Sequence, residues 1–189
     1  MRLFSEQGFR ETTLDDITSA ARVSRTTFFR YFDSKADLLW NEFDAEAVTL
    51  RARLEQSPEG LPTMDAVRQA VVAVNHYQPE NEAELRAQVN LVRSVPELAA
   101  SASTHYEAWE RAISDFIALR TGQPADSLIP VAVGRAALAV CRTAYEQWAQ
   151  NSTAELTRYL DVALRALGEG FADPVNMWPT EAMLASREL

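Results

Sequence analysis

Residues 12–35 constrain this chain more than any other stretch. They run Thr-Thr-Leu-Asp-Asp-Ile-Thr-Ser-Ala-Ala-Arg-Val-Ser-Arg-Thr-Thr-Phe-Phe-Arg-Tyr-Phe-Asp-Ser-Lys, which reads as two short capped helices and the start of a third. Thr13 can cap the first through its hydroxyl, with Asp16 three residues on in place of the usual capping-box Glu. Leu14, Ile17 and Ala20/Ala21 follow at intervals of three and four, the spacing that buries one stripe of a helix. That helix is interrupted near Arg22-Val23. Ser24 caps the second, and Phe28 and Phe32, four apart, face inward to hold it. Arg25, Thr26, Thr27, Phe29, Arg30 and Tyr31 are left outside. Guanidinium, hydroxyl and aromatic groups in that mixture suit phosphates, guanine edges and thymine methyls. Ser34 caps the third helix and puts Lys35 in its first turn, where backbone N–H groups and a cation clamp a phosphate together. This is the layout of a DNA-reading helix-turn-helix, with Thr13, Ser24, Arg25, Thr26, Thr27, Phe29, Arg30, Tyr31 and Lys35 as contact residues. The plainer reading, a structural subdomain with solvated arginines, does not account for the agreement of caps, aromatic core and clustered cations.

Overall charge argues against nucleic acid until its distribution is considered. The 189 residues carry 18 Lys and Arg against 27 Asp and Glu, a net charge of −9, and an acidic chain repels a polyanion. Residues 1–43, however, hold six basic and seven acidic side chains, while the other 146 hold twelve and twenty. Within 17–36, four positive charges stand against Asp33 alone. The acidic bulk lies elsewhere. The modest positive count predicts reliance on a dimer engaging two half-sites.

Leu3-Phe4, Gly8-Phe9, Thr12-Thr13, Asp16-Ile17, Val23-Ser24, Thr27-Phe28 and Tyr31-Phe32-x-Ser34-Lys35-x-x-Leu38-Leu39 hold a spacing that covers about the first 43 residues. In this the chain resembles the N-terminal domain of TetR-type transcriptional repressors. Three positions depart from the family pattern. Arg22 replaces the usual glycine, which puts a non-glycine residue at a left-handed cap. Thr26 replaces a common glycine, and Phe29 replaces a tyrosine whose hydroxyl would reach a phosphate. Family members begin their first helix well before the Leu-Phe pair, so the resemblance implies that Met1 is an internal residue of a longer chain. A narrower set of matches is Phe28-Phe29-Arg30-Tyr31-Phe32, Asp37-Leu38-x-Trp40, Phe43-Asp44, Ala73-Val74-Asn75, Pro96-Glu97-Leu98 and Ala144-Tyr145-Glu146-x-Trp148. It resembles the TetR-type regulators found with mycofactocin gene clusters, and that kinship implies a fatty acyl-coenzyme A effector.

The remainder reads as all-α, since no run alternates like a strand and no proline occurs before Pro58. Lys35 to about Gln56 reads as one helix with Leu38, Leu39, Phe43, Val48 (or Ala47), Leu50 and Leu54 inward. Ser57-Pro58-Glu59-Gly60-Leu61-Pro62 is the best linker candidate. Thr63 caps Met64–Tyr77, and further helices cover 81–95, 97–120, 127–150 and 153–168. The domains expected are 1–43 for DNA and 44–170 for effector binding and dimerisation, with a tail, 171–189, of no assigned role. That tail holds Met177, Trp178, Met183 and Leu184. The longest apolar run, Ala136–Cys141, is too short to span a bilayer. One cysteine excludes an internal disulfide and fits a reducing cytoplasm.

The helix at 127–150 is apolar nearly all round, so it must be buried on every side. A two-fold bundle of this helix and 153–168 from each protomer meets that need, with Ala137, Cys141, Leu156, Leu160 and Leu164 at the dimer interface. The alternative is a central core helix in a monomer. Catalytic chemistry finds little support. His76 and His105 stand 29 apart, with no His-Glu-x-x-His, paired cysteines, nucleophile elbow or phosphate loop. Neither metal nor cofactor is expected. Aromatic residues instead cluster in the second domain, where Tyr106, Trp109, Phe116, Tyr145 and Trp148 can line an apolar cavity, with Arg86 and Arg93 for an anionic head group. The reading is a homodimeric repressor that a small apolar effector releases from double-stranded DNA. A different lipophilic or drug-like effector is the alternative; a helical enzyme or scaffold without DNA binding is a distant one.

Overall fold

The computed structural model describes residues 1–77, 79–151 and 153–170, and all regular secondary structure among them is helical. Expectations for the tail at 171–189 lie outside the described residues. The head comprises α1 (Arg2–Gln7), α2 (Leu14–Ala21) and α3 (Arg25–Phe29). Thr13 caps α2 in a full capping box, its hydroxyl oxygen accepting from the Asp16 N–H at 3.2 Å and the Asp16 carboxylate accepting from the Thr13 N–H at 2.8 Å. Arg22 does close α2 in the left-handed region, at φ 55°, ψ 41°. Ala20 and Ala21 prove exposed, while Thr18 is buried in their stead. The helix has only eight residues, and its inner face ends at Thr18.

Asp37 changes the next segment. Its carboxylate accepts from the backbone N–H of Asp33 at 2.8 Å and of Ser34 at 3.0 Å, and from the Ser34 hydroxyl at 2.8 Å. These bonds tie 33–37 into a tight turn followed by a 3-10 turn, Asp37–Leu39. The single helix expected from Lys35, capped by Ser34, is therefore not formed; α4 runs over Asn41–Glu55. It turns Ala47, Leu50 and Leu54 inward and leaves Val48 71% exposed.

The body continues with α5 (Thr63–Val74), α6 (Pro79–Ser94), α7 (Pro96–Thr121), α8 (Leu128–Asn151) and α9 (Leu156–Gly168). Thr63 is the first residue of α5 rather than its cap. The 57–62 segment is pinned, not a free linker, because Arg120 donates to the carbonyls of Pro58 and Glu59 at 2.6 Å and of Leu61 at 3.2 Å. The main core gathers Leu50, Leu54, Val67, Val71, Trp109, Ile113, Phe116, Trp148, Leu160 and Leu164. A second cluster, Phe4, Phe9, Leu39, Trp40, Leu98 and Ala102, joins head to body.

α7 and α8 approach closely at Gly134, where a Cβ would lie 2.3 Å from Ser114 Oγ and 2.7 Å from the Glu110 carbonyl oxygen. α8 is two-sided within the protomer. Ala137, Cys141, Ala144 and Trp148 face the core, and Leu128, Ala132, Ala139 and Thr143 form an outer face. Contrary to the sequence expectation, Leu128–Gln150 is long and apolar enough to cross a bilayer by length and composition. Here it packs its inner face on α7 and α9. The five residues expected at a dimer interface are likewise corrected. Ala137, Cys141, Leu156, Leu160 and Leu164 are 0–6% exposed and serve the protomer's own core, since α5, α7, α8 and α9 close over them. An all-round apolar sequence fixes that a helix is covered, but not which side meets which neighbour.

Candidate functional site

Ser24 caps α3, its hydroxyl oxygen accepting from the Thr27 N–H at 3.0 Å, with the two hydroxyls 2.9 Å apart. Thr27 is thus half-buried in the cap, whereas Arg25, Thr26, Phe29 and Arg30 are exposed around the same shallow concavity. Phe29 and Tyr31 are 54% and 67% exposed. Arg30 donates to the Tyr31 hydroxyl at 3.1 Å and lies 4.8 Å from that ring's centre. Arg25 pairs with Asp15 at 3.0 Å, both side chains open to solvent. This face offers cations, hydroxyls and exposed rings on one short helix, a composition suited to a nucleic-acid groove. Thr13 lies on the same domain, its hydroxyl engaged with Asp16 at 2.6 Å. That bond and the Thr13 backbone N–H hold the Asp16 carboxyl below its ordinary range.

Lys35 departs from expectation. Its ammonium donates to the carbonyls of Phe9, Arg10 at 3.2 Å and Thr12 at 2.9 Å, and sits 4.5 Å from the Phe9 ring. All three donors are thereby engaged. With no helix starting at this residue, there is also no row of free N–H groups beside it.

A cavity of about 270 Å³ opens in the body among α4, the end of α5, α6, α7 and α8. Arg93, Tyr106, Trp109 and Tyr145 line it as the sequence suggested. Arg86, Phe116 and Trp148 do not. Trp148 is fully buried, donating to the Ala154 carbonyl at 3.1 Å, and Arg86 stacks on it at 3.8 Å and donates to its backbone carbonyl. Phe116 belongs to the core under Arg120. Cys141, expected at a dimer contact, is a cavity wall residue whose thiol burial pushes up to about 12.

The wall is apolar along Phe43, Val71, Val89, Trp109 and Leu138, with cations at Arg93 and Arg142, both exposed. Arg142 lies 4.8 Å from the Tyr106 ring centre. Trp40 is 4% exposed and lines the cavity, yet its indole N–H has no acceptor among the described residues. One polar cluster interrupts the wall. Tyr77 donates to Glu46, the Tyr77 and Tyr145 hydroxyls lie 3.3 Å apart, Tyr145 donates to Asn75 Oδ1, and Asn75 Nδ2 donates to the Val71 carbonyl at 2.7 Å. Burial raises the Glu46 carboxyl to about 7, with Glu42 adding to the rise and the Tyr77 bond opposing it. Glu46, Asn75 and Arg142 escaped the site reading. Asn75 left a signal, as a polar residue four after Val71 on the apolar stripe of α5.

Comparison with known proteins agrees with both halves. Residues 1–40 match the family model described as bacterial regulatory proteins, tetR family, and residues 61–172 match the MftR C-terminal domain. The chain is 31% identical over 170 residues to the putative mycofactocin biosynthesis transcriptional regulator MftR of Mycobacterium tuberculosis, covering 90% of this chain and 86% of that protein. It is also 31% identical to the transcriptional regulator TcmR of Streptomyces glaucescens, over 67% of this chain and 58% of that one. Among solved structures, Thermus thermophilus FadR, described as a TetR family repressor in complex with lauroyl-CoA, superposes with a TM-score of 0.60 at 25% identity over 90% of each chain. The chain therefore belongs to the TetR family of bacterial transcriptional regulators, with a C-terminal domain of the MftR type.

Proposed function

We propose that the protein is a homodimeric, ligand-released repressor whose effector is an acyl-bearing molecule with an anionic head group, of the fatty acyl-coenzyme A class. The observation that carries this reading is the cavity: largely apolar apart from the polar cluster at Glu46, with exposed Arg93 and Arg142 among its lining beside Glu42 and Glu146, and walled partly by Trp40. An acyl chain gains about 0.8 kcal/mol for each methylene buried. A polyanionic head group stays at the mouth and pairs with the arginines, because burying its charges is far more costly. The unpartnered Trp40 N–H offers a donor to the acyl carbonyl. A lauroyl-CoA complex of the FadR neighbour supports the same ligand class.

Trp40 also belongs to the cluster joining head and body. A ligand against it acts on the joint, so differential contact with Trp40 is the means by which cavity occupancy changes the setting of the head. Two heads, held by a dimer through the outer face of α8, engage half-sites of a pseudo-palindrome. Arg25 reads a base edge, and Thr13, Ser24, Thr26, Thr27, Phe29, Arg30 and Tyr31 set position against the backbone. The test is operator displacement, followed by fluorescence anisotropy, across a chain-length series of acyl-coenzyme A thioesters and free acids. Affinity is expected to climb with chain length and level off when the cavity is full. Failure of every thioester and acid to lower operator occupancy at well above micromolar concentration overturns the acyl effector and leaves another lipophilic compound in its place.

A further inference from the structure

We propose that Glu46, Tyr77, Tyr145 and Asn75 form a polar subsite in the cavity wall that selects an effector carrying a hydroxyl group on its apolar chain. This rests on the acyl-effector reading and narrows its ligand class. The argument is a count of protons. Three contacts link the four side chains: Glu46 to Tyr77, Tyr77 to Tyr145, and Tyr145 to Asn75. Asn75 contributes none of the hydrogens, since the atom it turns to Tyr145 is Oδ1, an acceptor, while Nδ2 donates to the Val71 carbonyl at 2.7 Å. The two phenols contribute one each. With Glu46 ionised, Tyr77 donates to Glu46 and Tyr145 to Asn75. The two phenol oxygens, 3.3 Å apart, then have no proton between them.

A protonated Glu46 supplies the missing hydrogen, and the chain runs in one direction from Glu46 through Tyr77 and Tyr145 to Asn75. Burial holds this carboxyl up to about 7, so both forms exist near neutrality. In the ionised form the cluster is one donor short, and no donor but Tyr77 reaches the carboxylate among the described residues. A ligand hydroxyl supplies that donor. A saturated chain does not, and it also strips water from a carboxylate that then remains under-solvated. Asn75 is 1% exposed, which anchors this subsite at the inner wall while Arg93 and Arg142 stand exposed at the mouth. The ligand that satisfies both ends is a hydroxylated acyl chain.

The groups facing Glu46 around the cavity are Glu42 on α4, Tyr77 after α5, Arg93 on α6, Tyr106 on α7, and Cys141, Arg142, Tyr145 and Glu146 on α8. Glu46 is the one among them raised to about 7. The preference for a hydroxyl is therefore greater above neutrality, where Glu46 is ionised, than below it.

Binding of ω-hydroxy fatty acids of eight, ten and twelve carbons, of matched plain acids and of ω-amino acids tests the subsite, with Trp40 and Trp109 fluorescence as the readout. In the wild type at about pH 8.5, one or more hydroxy acids should bind about tenfold tighter than its plain partner, or about 1.4 kcal/mol. The advantage should shrink toward twofold at about pH 5.5, and in Glu46→Gln it should lose its pH dependence. Tyr77→Phe provides a second variant, and the wild-type series alone decides the matter if neither variant folds. Equal binding of plain and hydroxylated chains overturns the subsite and leaves the acyl reading standing. An amine that matches the alcohol overturns the choice of a neutral donor. No binding by any of these acids overturns the subsite, and the acyl reading falls with it only if the acyl-coenzyme A thioesters also fail to displace operator.

Discussion

A carboxyl placed against an apolar wall keeps its proton, and for Glu46 this has a measurable sign. Burial raises it from an ordinary 4.5 to about 7, so between those values the folded chain holds a proton that the unfolded chain has released. Stability is therefore greater at the acid end of that window and falls as pH rises through it. Glu46→Gln should remove this component: the variant's urea midpoint, relative to wild type, should rise between pH 5 and pH 8. A parallel pH dependence in the two proteins would show that Glu46 is not the group responsible. At the reading face, Arg25→Ala should weaken operator binding by about 1–3 kcal/mol and relax discrimination at one base pair. The Asp15 pair it loses is solvent-exposed and contributes little. Lys35 belongs to a different class. Its three carbonyl bonds make Lys35→Met a stability variant, expected to lower Tm while leaving the salt slope of DNA binding unchanged. A slope reduced by about one would instead assign Lys35 to a phosphate. The exposure of Arg25 was legible in the sequence, because Ser24 caps the helix and Phe28 takes its inward position; the pairing of Arg25 with Asp15 was not. The engagement of Lys35 was not, because the carbonyls it meets come from residues 9–12, a separation no local pattern encodes.

From α5 onward the order of helices followed from periodicity and breakers, and Pro96, Gly122 and Gly168 stand where α7 begins and where α7 and α9 end; the break between Lys35 and α4 did not follow. Faces were less legible. α8 is rich in Ala and Val around its whole circumference, so the pattern could not separate its core side from its outer side. The same ambiguity put Ala137 at an interface. The two faces now make opposed predictions for a single charge. Ala137→Asp buries a carboxylate without a partner in the protomer core, a cost of several kcal/mol, and should unfold the chain by circular dichroism. Ala139→Asp adds a charge to the outer face. It should leave the helical signal intact and convert dimer to monomer in sedimentation at micromolar concentration. A dimer that survives Ala139→Asp would move the interface off this face of α8. Gly134 is equally specific to element packing, since its missing side chain is what lets α8 lie against Ser114 and Glu110. The cavity was only half legible for a related reason. Aromatic residues signal apolar surface, but whether a ring fills space, as Phe116 and Trp148 do, or borders it, as Trp109 does, depends on how four helices fit together.

At the scale of the molecule, the question is how occupancy of a body cavity reaches a head that lies outside it. Several contacts cross that boundary, among them the hydrogen bond from Gln88 to the Leu39 carbonyl and the pairing of the Met1 amino group with Glu84 at 3.5 Å. Arg10 and Glu97 pair at 3.1–3.2 Å in full view of solvent, and such pairs contribute about 0–1 kcal/mol. The apolar cluster of Phe4, Phe9, Leu39, Trp40, Leu98 and Ala102 is buried, and in the proposed mechanism it is the contact through which coupling runs. Trp40 alone in that group has both a ring contact to the body, stacking on His105 at 4.9 Å, and a place in the cavity wall. His105 is in turn fixed by Asp44 of α4 at 2.9 Å, so the ring is held between α4 and α7. Ligand and operator must affect each other by the same factor, a coupling that in such proteins is commonly about 1–3 kcal/mol. Trp40→Leu keeps an apolar side chain but gives up the ring and its N–H. In this variant operator affinity without ligand should change little, and an acyl ligand should still bind, with a modest loss. The ratio of ligand Kd with and without operator duplex should fall toward one. Measuring all four equilibria closes the cycle and checks it internally. A variant whose ratio equals that of wild type would show that the signal passes to the head by a route that does not include Trp40.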